Sequence, residues 1–398
     1  MLVKQGIVFI IFVICAKLLS VYEFGVYNYL LAVIFFLIMF GDFGISTATS
    51  RYVAEYNAND KKKLELVLFN IGFLILSLTI LIAVMVMVFG KIYLKDYYYY
   101  ILLLLPLVIL SPLVSLYDGI YRGLKKFREL ALITSLVSLI SLPLILYFIK
   151  IGGLSGALLS QIFFYSFLLI ALALAHRGNK IAFDRSVLVD IGRYSLIYGL
   201  AILGNYLFIR FGILILGHYG FINELGMYEL LNKIFTILLL PFVLLGQVMA
   251  PNFSELSSKK NFILIFEKTK KYTVYFFFFG IASGLLLYFI IPYLVIIFLP
   301  QYYNSLFLQI FPFTICIFIA NVWAATIDAG ILVPSGFASL MAYFYIILGI
   351  VGVILSFFLM DLYGYMGVIY SFTITSVLMA VVLRGIFLRK ILKLSIQT

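Results

Sequence analysis

Charge is scarce in this 398-residue chain: 16 acidic and 28 basic side chains make up 11% of it, against 65% hydrophobic residues and a mean hydropathy of +1.19. A water-soluble fold cannot hide so much apolar surface, because a globular core has no use for uncharged runs of 18 residues or more. Cysteine is almost absent as well. Cys15 and Cys316 both fall inside apolar runs, where they read as small packing residues rather than as a disulfide or metal framework. No HExxH, Walker A, GxGxxG or CxxC pattern occurs. The hydrophilic breaks are too short to house a soluble nucleotide-binding domain, which excludes an ATP-driven pump.

What the chain has instead is one event repeated: an apolar run long enough to cross a bilayer, then a short polar break. The runs are 3–20, 24–50, 66–90, 100–121, 130–149, 155–175, 194–217, 226–250, 272–292, 306–329, 338–360 and 365–384. They predict an all-α polytopic membrane protein of about 12 transmembrane helices, since a spanning backbone must satisfy its polar groups within the segment and barrel-like alternation is absent. The first run is short, carries Lys17 near its end and imitates a signal peptide. No small-residue cleavage site follows it, so it is kept as a helix, and the abrupt start leaves the native first residue open.

Basic residues cluster in alternate breaks: Lys4; Arg51 with Lys61, Lys62 and Lys63; Arg122 to Arg128; Arg177 to Arg193; Lys259 to Lys271; and Arg384 to Lys393. The intervening breaks hold only Lys17, Lys91, Lys95 and Lys150, while Arg210 and Lys233 lie inside runs. By the positive-inside rule both termini face the cytoplasm. The net charge of +12 is then a topology signal and an attraction to anionic lipid, not a nucleic-acid footprint.

The chain also repeats itself. Glu23-Phe24-Gly25-Val26-Tyr27 recurs as Glu224-Leu225-Gly226-Met227-Tyr228; Tyr97 and Pro106 as Tyr303 and Pro312; Asp118 as Asp328; and Gly153-Leu154-Ser155-Gly156 with Ser160 as Gly364-Tyr365-Met366-Gly367 with Ser371. Their collinear order, at offsets growing from 201 to 211, points to duplication of a six-helix unit. The expected organisation is a lobe over 1–175, a cytoplasmic linker over 176–193, and a lobe with a short tail over 194–398. An even number of helices per copy relates the lobes by a pseudo-twofold along the membrane normal. Two such lobes leave a cleft that rocking would open to each side in turn.

The segment Leu18 to Glu55, with Gly41-Asp42-Phe43-Gly44 and Arg51-Tyr52-Val53-Ala54-Glu55, resembles the opening of the O-antigen-type polysaccharide flippases of the multidrug, oligosaccharidyl-lipid and polysaccharide exporter superfamily. Tyr121-Arg122-Gly123 and Pro251-Asn252-Phe253-Ser254-Glu255 extend the resemblance along nearly the whole chain. It implies a non-enzymatic transporter of the cytoplasmic membrane that flips a polyprenyl-(pyro)phosphate-linked glycan. Membrane lipids and glycan-assembly enzymes are its further partners. No cofactor is implied, and the drive is a proton or sodium gradient or the membrane potential. Two departures stand out. Relatives have a longer lead into the first helix, and many carry an acid two positions after the Arg of span 7, where this chain has Gly212.

An intramembrane cation is costly and is a functional candidate by default. Arg210 is the strongest, as a bidentate phosphate ligand; its competing reading is an ion pair with an acid on another span, disfavoured by Gly212. Asn205 offers a hydrogen bond to sugar on the same span. Lys233 follows Glu229 by four residues, a spacing that suits a self-neutralised pair; Lys17 is within snorkelling reach of the outer interface. Asp42 reads equally as a proton or cation site, as a partner of Arg51 or Arg122, and as a hydrogen-bonded acid among packing glycines. Asp118 and Asp328 end equivalent helices, where acids oppose the dipole, and with Arg51 and Arg122 they are candidates for a gate bridging the lobes. Rival functions are a cation-coupled multidrug exporter, which would favour acids over Arg210 in its cleft, and a membrane glycosyltransferase or polymerase, for which no external loop is long enough.

Overall fold

The computed structural model describes residues 2–176 and 180–397, and among them the chain is helix joined by short turns. Arg177 and the side chain of Lys4, counted above with the basic breaks, lie outside the described residues. The helices are α1 Leu2–Leu18, α2 Val21–Asp42, α3 Ile45–Asn59, α4 Lys61–Leu94, α5 Tyr98–Gly123, α6 Phe127–Ala175, α7 Arg185–His218, α8 Ile222–Leu238, α9 Leu240–Ser258, α10 Phe262–Phe298, α11 Ser305–Ile327, α12 Ala338–Tyr363 and α13 Tyr365–Gln397. A π-helical segment, Asp328–Phe337, joins α11 to α12.

Polar residues between the apolar runs set where helices start. Ser20 and Glu23 form a reciprocal capping box on α2, with Glu23 N–H donating to Ser20 Oγ at 3.2 Å and Ser20 N–H to Glu23 Oε2 at 3.0 Å. Asp60, Asn261 and Asn304 accept from the first-turn N–H groups of Lys63, Leu264 and Phe307, each at 3.2 Å. Glycine sets two of the breaks. Gly153 kinks α6 at φ 52°, ψ −128°, and Gly364 separates α12 from α13 at φ 59°, ψ −143°. These are the paired glycines of the repeated Gly-x-x-Gly motif, and both adopt a conformation essentially closed to side chains. The repetition in sequence is thus a repetition of one backbone turn.

Eight continuous helical stretches among the described residues are long and apolar enough to cross a membrane, against the twelve runs read from the sequence. The difference arises where neighbouring runs join. Lys61–Gly123 extends 63 residues, Phe127–Ala175 49 and Ser305–Tyr363 59. At 1.5 Å per residue the first would reach roughly 95 Å if straight, three times a ~30 Å hydrocarbon core. It is interrupted by a 3-10 turn at Lys95–Tyr97, as the others are by Gly153 and by the π segment. Helix α1 falls short at 17 residues. The outer faces of the long helices are apolar: Val88 and Ile92 on α4 are 60% and 69% exposed, Phe289 and Ile297 on α10 66% and 69%. Water would penalise such faces and lipid accepts them.

The chain divides into two compact units, Met1–Leu203 and Gly204–Thr398. The boundary falls inside α7, later than the lobe start at 194 expected from sequence, because the first part of α7 packs into the first unit. Val187 and Ile191 are fully buried in one core with Ile45, Val53, Ile71, Ile75 and Leu116. The stretch ahead of α7 is strapped to α4 rather than left as a loose linker. Asn70, itself buried, donates to Ala182 O at 2.9 Å and accepts from Asp184 N–H at 2.8 Å, and Lys180 N–H donates to Glu65 O at 2.9 Å. In the second unit Phe253, Ile265, Ile327, Ile331, Leu383 and Phe387 form the main core.

Candidate functional site

Helices α7 and α8 are joined by a tight turn through Gly220, at φ 82°. Arg210 stands two turns before that turn and Glu229 two turns after it, which brings them to the same depth on adjacent helices. There Arg210 Nη1 donates to Glu229 Oε2 at 2.9 Å. Asn232 Nδ2 donates to Glu229 Oε1 at 3.1 Å, so both carboxylate oxygens are engaged. The pair is lopsided in exposure: the Glu229 side chain is 1% exposed and that of Arg210 31%.

For Arg210 this is the competing reading, a pair with an acid on another span, and for Lys233 it corrects the expected pair along its own helix. Glu229 serves Arg210 across the helix pair instead of Lys233 along its own helix, because its carboxylate is already held by Arg210 and Asn232 on the α7 side. Lys233 forms no ion pair among the described residues, yet lies within electrostatic reach of Arg210 and Glu229. Arg210, Glu229 and Lys233 carry a formal net charge of +1, held by two cations and one acid. Tyr206 and Tyr228 flank the Arg210 and Glu229 charges. Beside Asn232 is a cavity of about 30 Å³, lined on its polar side by Tyr228, Asn232, Thr236, Thr314 and Asn321, room for about one water molecule.

Gly212, where the resemblance led to the expectation of an acid, has a structural cause. A Cβ there would run into the ring of Phe372 on α13 and lie 3.0 Å from Val368 Cγ1. Phe372 continues across to stack on Tyr228 of α8, centroids 5.5 Å apart. The position next to Arg210 on α7 is closed by packing, and the acid comes from α8.

The other expected residues are elsewhere. Lys17 is exposed at the end of α1, and Asn205 is exposed on α7 and joins none of these bonds. Asp42 accepts Ser46 N–H at 3.1 Å, capping α3 where Phe43 and Gly44 take positive φ, and it pairs with neither Arg51 nor Arg122. A Cβ on Gly44 would lie 2.8 Å from Ser195 O and from Gly199 N, the close approach that the glycine permits. Arg51 stacks its guanidinium on Tyr194, 4.2 Å from the ring centroid. Of the residues expected to form a gate, Asp118 pairs with Arg122 one turn on, and Asp328 Oδ1 pairs with Arg384 Nη2 at 2.9 Å, each pair inside its own unit. Arg384 itself, counted above as a charge in a cytoplasmic break, has a side chain 2% exposed, since α13 carries it into the core of the second unit. Cys15 is buried and Cys316 exposed, and both are free.

The family model for polysaccharide biosynthesis proteins matches residues 1–257. The chain belongs to that family. Among curated protein sequences none matches. Solved structures with the same fold include the lipid II flippase MurJ in an inward closed conformation, at a TM-score of 0.70 and 18% identity over 99% of this chain and 88% of that one. The eukaryotic MATE transporter AtDTX14 is similar at 0.60 and 15% identity, covering 99% and 98%. An outward-facing multidrug resistance MATE family transporter of the MOP superfamily follows at 0.56 and 14%, covering 98% and 96%. The chain is thus a polysaccharide biosynthesis protein by family, with eight helical stretches among the described residues long and apolar enough to cross a membrane and a fold shared with these flippase and MATE structures.

Sequence reasoning missed Glu229 as the partner of Arg210, and Asn232 with it, because the nearer i,i+4 partner masked the pairing across helices. Arg384 had a visible signal: it stands among Leu383, Gly385, Ile386 and Phe387, inside apolar sequence and not beyond it.

Proposed function

We propose that this protein flips a polyprenyl-(pyro)phosphate-linked oligosaccharide across the cytoplasmic membrane by alternating access, for cell-surface glycan synthesis. The observation that carries the reading is the net-positive cluster on α7 and α8: Arg210 is partly exposed and oriented by Glu229, and Lys233 has no ion pair among the described residues. A phosphate group approaching Arg210 meets a guanidinium already fixed in place by Glu229, of a planar form suited to a bidentate second partner. Kinship with polysaccharide biosynthesis proteins, and the fold shared with a lipid II flippase, support a lipid-linked saccharide as cargo. We count α6 as two helices at Gly153 and read α2 with α3 and α8 with α9 as single bent spans, a reading of twelve spans in two repeats, and the distribution of basic residues supports both termini cytoplasmic.

One observation favours the rival, a cation-coupled exporter of drugs. Glu229 is a buried acid within a fold also found in MATE transporters. The two readings part in a single experiment. A flippase-deficient strain carrying this protein should regain its surface polysaccharide, and lose it again with Arg210→Ala, while resistance to cationic dyes stays unchanged. Dye resistance without restored glycan would establish the exporter instead.

A further inference from the structure

The second unit holds a buried ion pair that the cluster on α7 and α8 does not use. Asp328 opens the π-helical segment, and Arg384 reaches it from the middle of α13. Arg384 also donates through Nη1 to Ala380 O at 2.6 Å, and its guanidinium lies 5.3 Å from the ring centroid of Trp323. Its Nε–H has no acceptor among the described residues, an expense for so buried a group.

The segment it holds is wound for change. A π turn is wider than an α turn, and such segments are rare outside functional positions. Pro334 removes one donor, Gly336 takes φ 91° with nothing within 4 Å of a built Cβ, and Ser257 Oγ of α9 donates to Ser335 O at 3.2 Å. Gly246 of α9 meets Gly330 backbone to backbone, an approach so close that a Cβ on either glycine would clash. Beyond it on α12, Tyr345 neighbours Asp328 and Arg384 and packs its ring on Phe208 of α7, centroids 5.4 Å apart, two residues before Arg210. The matching acid of the first unit has no such arrangement: Asp118 pairs with Arg122, more than half exposed on its own helix.

We propose that Asp328 and Arg384 are a positioning pair that latches the π-helical joint. Closed, the latch keeps 328–337 in its wide winding with α13 against its first residue. Open, the segment rewinds toward α-helix, and each residue absorbed turns α12 by about 100° relative to α11. That turn moves Tyr345 against Phe208 and reaches the cation of the transport site. Only this last step rests on the transport reading; the latch itself does not.

Trp323 is the only tryptophan in the chain, so its emission reports the guanidinium beside it without labelling. In the purified full-length protein, Asp328→Asn should shift that emission and speed hydrogen exchange about tenfold or more across 328–337, with exchange elsewhere in α11 and α13 unchanged. The exchanged pair, Asp328→Arg with Arg384→Asp, should return both signals toward wild type, which loss of packing alone would not allow. Arg384→Lys, which keeps the charge and loses the fork, should fall between. Unchanged emission and exchange in Asp328→Asn would overturn the latch. So would protection lost throughout the second unit, or failure of both single variants to insert, since either result makes the pair a general fold contact. None of these readouts involves cargo, so a wrong transport reading leaves them intact.

Discussion

The Arg210–Glu229 pair makes an asymmetric demand on mutation. At about 4 Å between charge centres and an effective dielectric near 20, the attraction is roughly 4 kcal/mol, and removing one partner of a buried pair typically costs about 3–5 kcal/mol. The two partners are not equivalent, however. Glu229 is 1% exposed and has no route to water when Arg210 goes, whereas Arg210, 31% exposed, can rehydrate when Glu229 goes. Asn232 still satisfies one oxygen of the stranded carboxylate, which trims the loss. Arg210→Ala should therefore cost about 2–4 kcal/mol and Glu229→Gln about 1–2 kcal/mol. Arg210→Ala with Glu229→Gln should be milder than Arg210→Ala alone, because no buried charge remains. Thermal unfolding of the detergent-purified variants, arranged as a double-mutant cycle, measures all three. Strictly additive losses, or Glu229→Gln costing more than Arg210→Ala, would refute both the pairing and the reasoning from exposure.

Four further outcomes are expected. Gly153→Ala and Gly364→Ala, each forcing a side chain into a glycine-only turn, should each lose about 1–3 kcal/mol in thermal unfolding, and near-equal losses would support the duplicated turn. Asn70→Ala should free the strap at 180–184, seen as faster limited proteolysis at the strap with the two units left intact. Hydrogen bonds from the Ser186 hydroxyl and backbone N–H hold the Asp184 carboxyl below its ordinary range. A depressed folded pKa gives stability that is present above the unfolded carboxylate value and lost as pH falls through the folded one, so acid should loosen the strap in wild type but not further in Asp184→Asn. Finally, impermeant labelling of single cysteines at Gly220 and Lys260, in a background with Cys15 and Cys316 replaced, should report opposite sides of the membrane; labelling from one side would overturn the topology.

The all-helical, membrane-spanning character and the repeated glycine turn were legible because each is written locally. Hydropathy shows where lipid must be, and a glycine that takes positive φ together with strongly negative ψ, a combination side chains rarely adopt, marks its own turn, as Gly153 and Gly364 do. The joining of runs was not legible, since composition reports a polar break without saying whether the helix stops there or kinks through. The unit boundary inside α7 depends on what Val187 and Ile191 bury against, and nothing in their own sequence separates them from the residues after 204. Within the site, Arg210 was visible as an intramembrane cation. Its partner was not, because Glu229 also satisfies the local spacing to Lys233, and only the turn at Gly220 decides for the longer-range pair. Arg384 was misread through its company: Arg389, Lys390 and Lys393 follow it closely and belong to the basic end, whereas Arg384 packs inside.

The central claim is tested most directly by translocation itself. Purified protein in liposomes with a fluorescent polyprenyl-diphosphate-linked saccharide should move it between leaflets, read as label newly accessible to an impermeant quencher, and Arg210→Ala with Glu229→Gln, freed of a stranded charge, should be folded yet inactive. Equal translocation by that variant, or none by wild type alongside export of a cationic dye, would contradict the account.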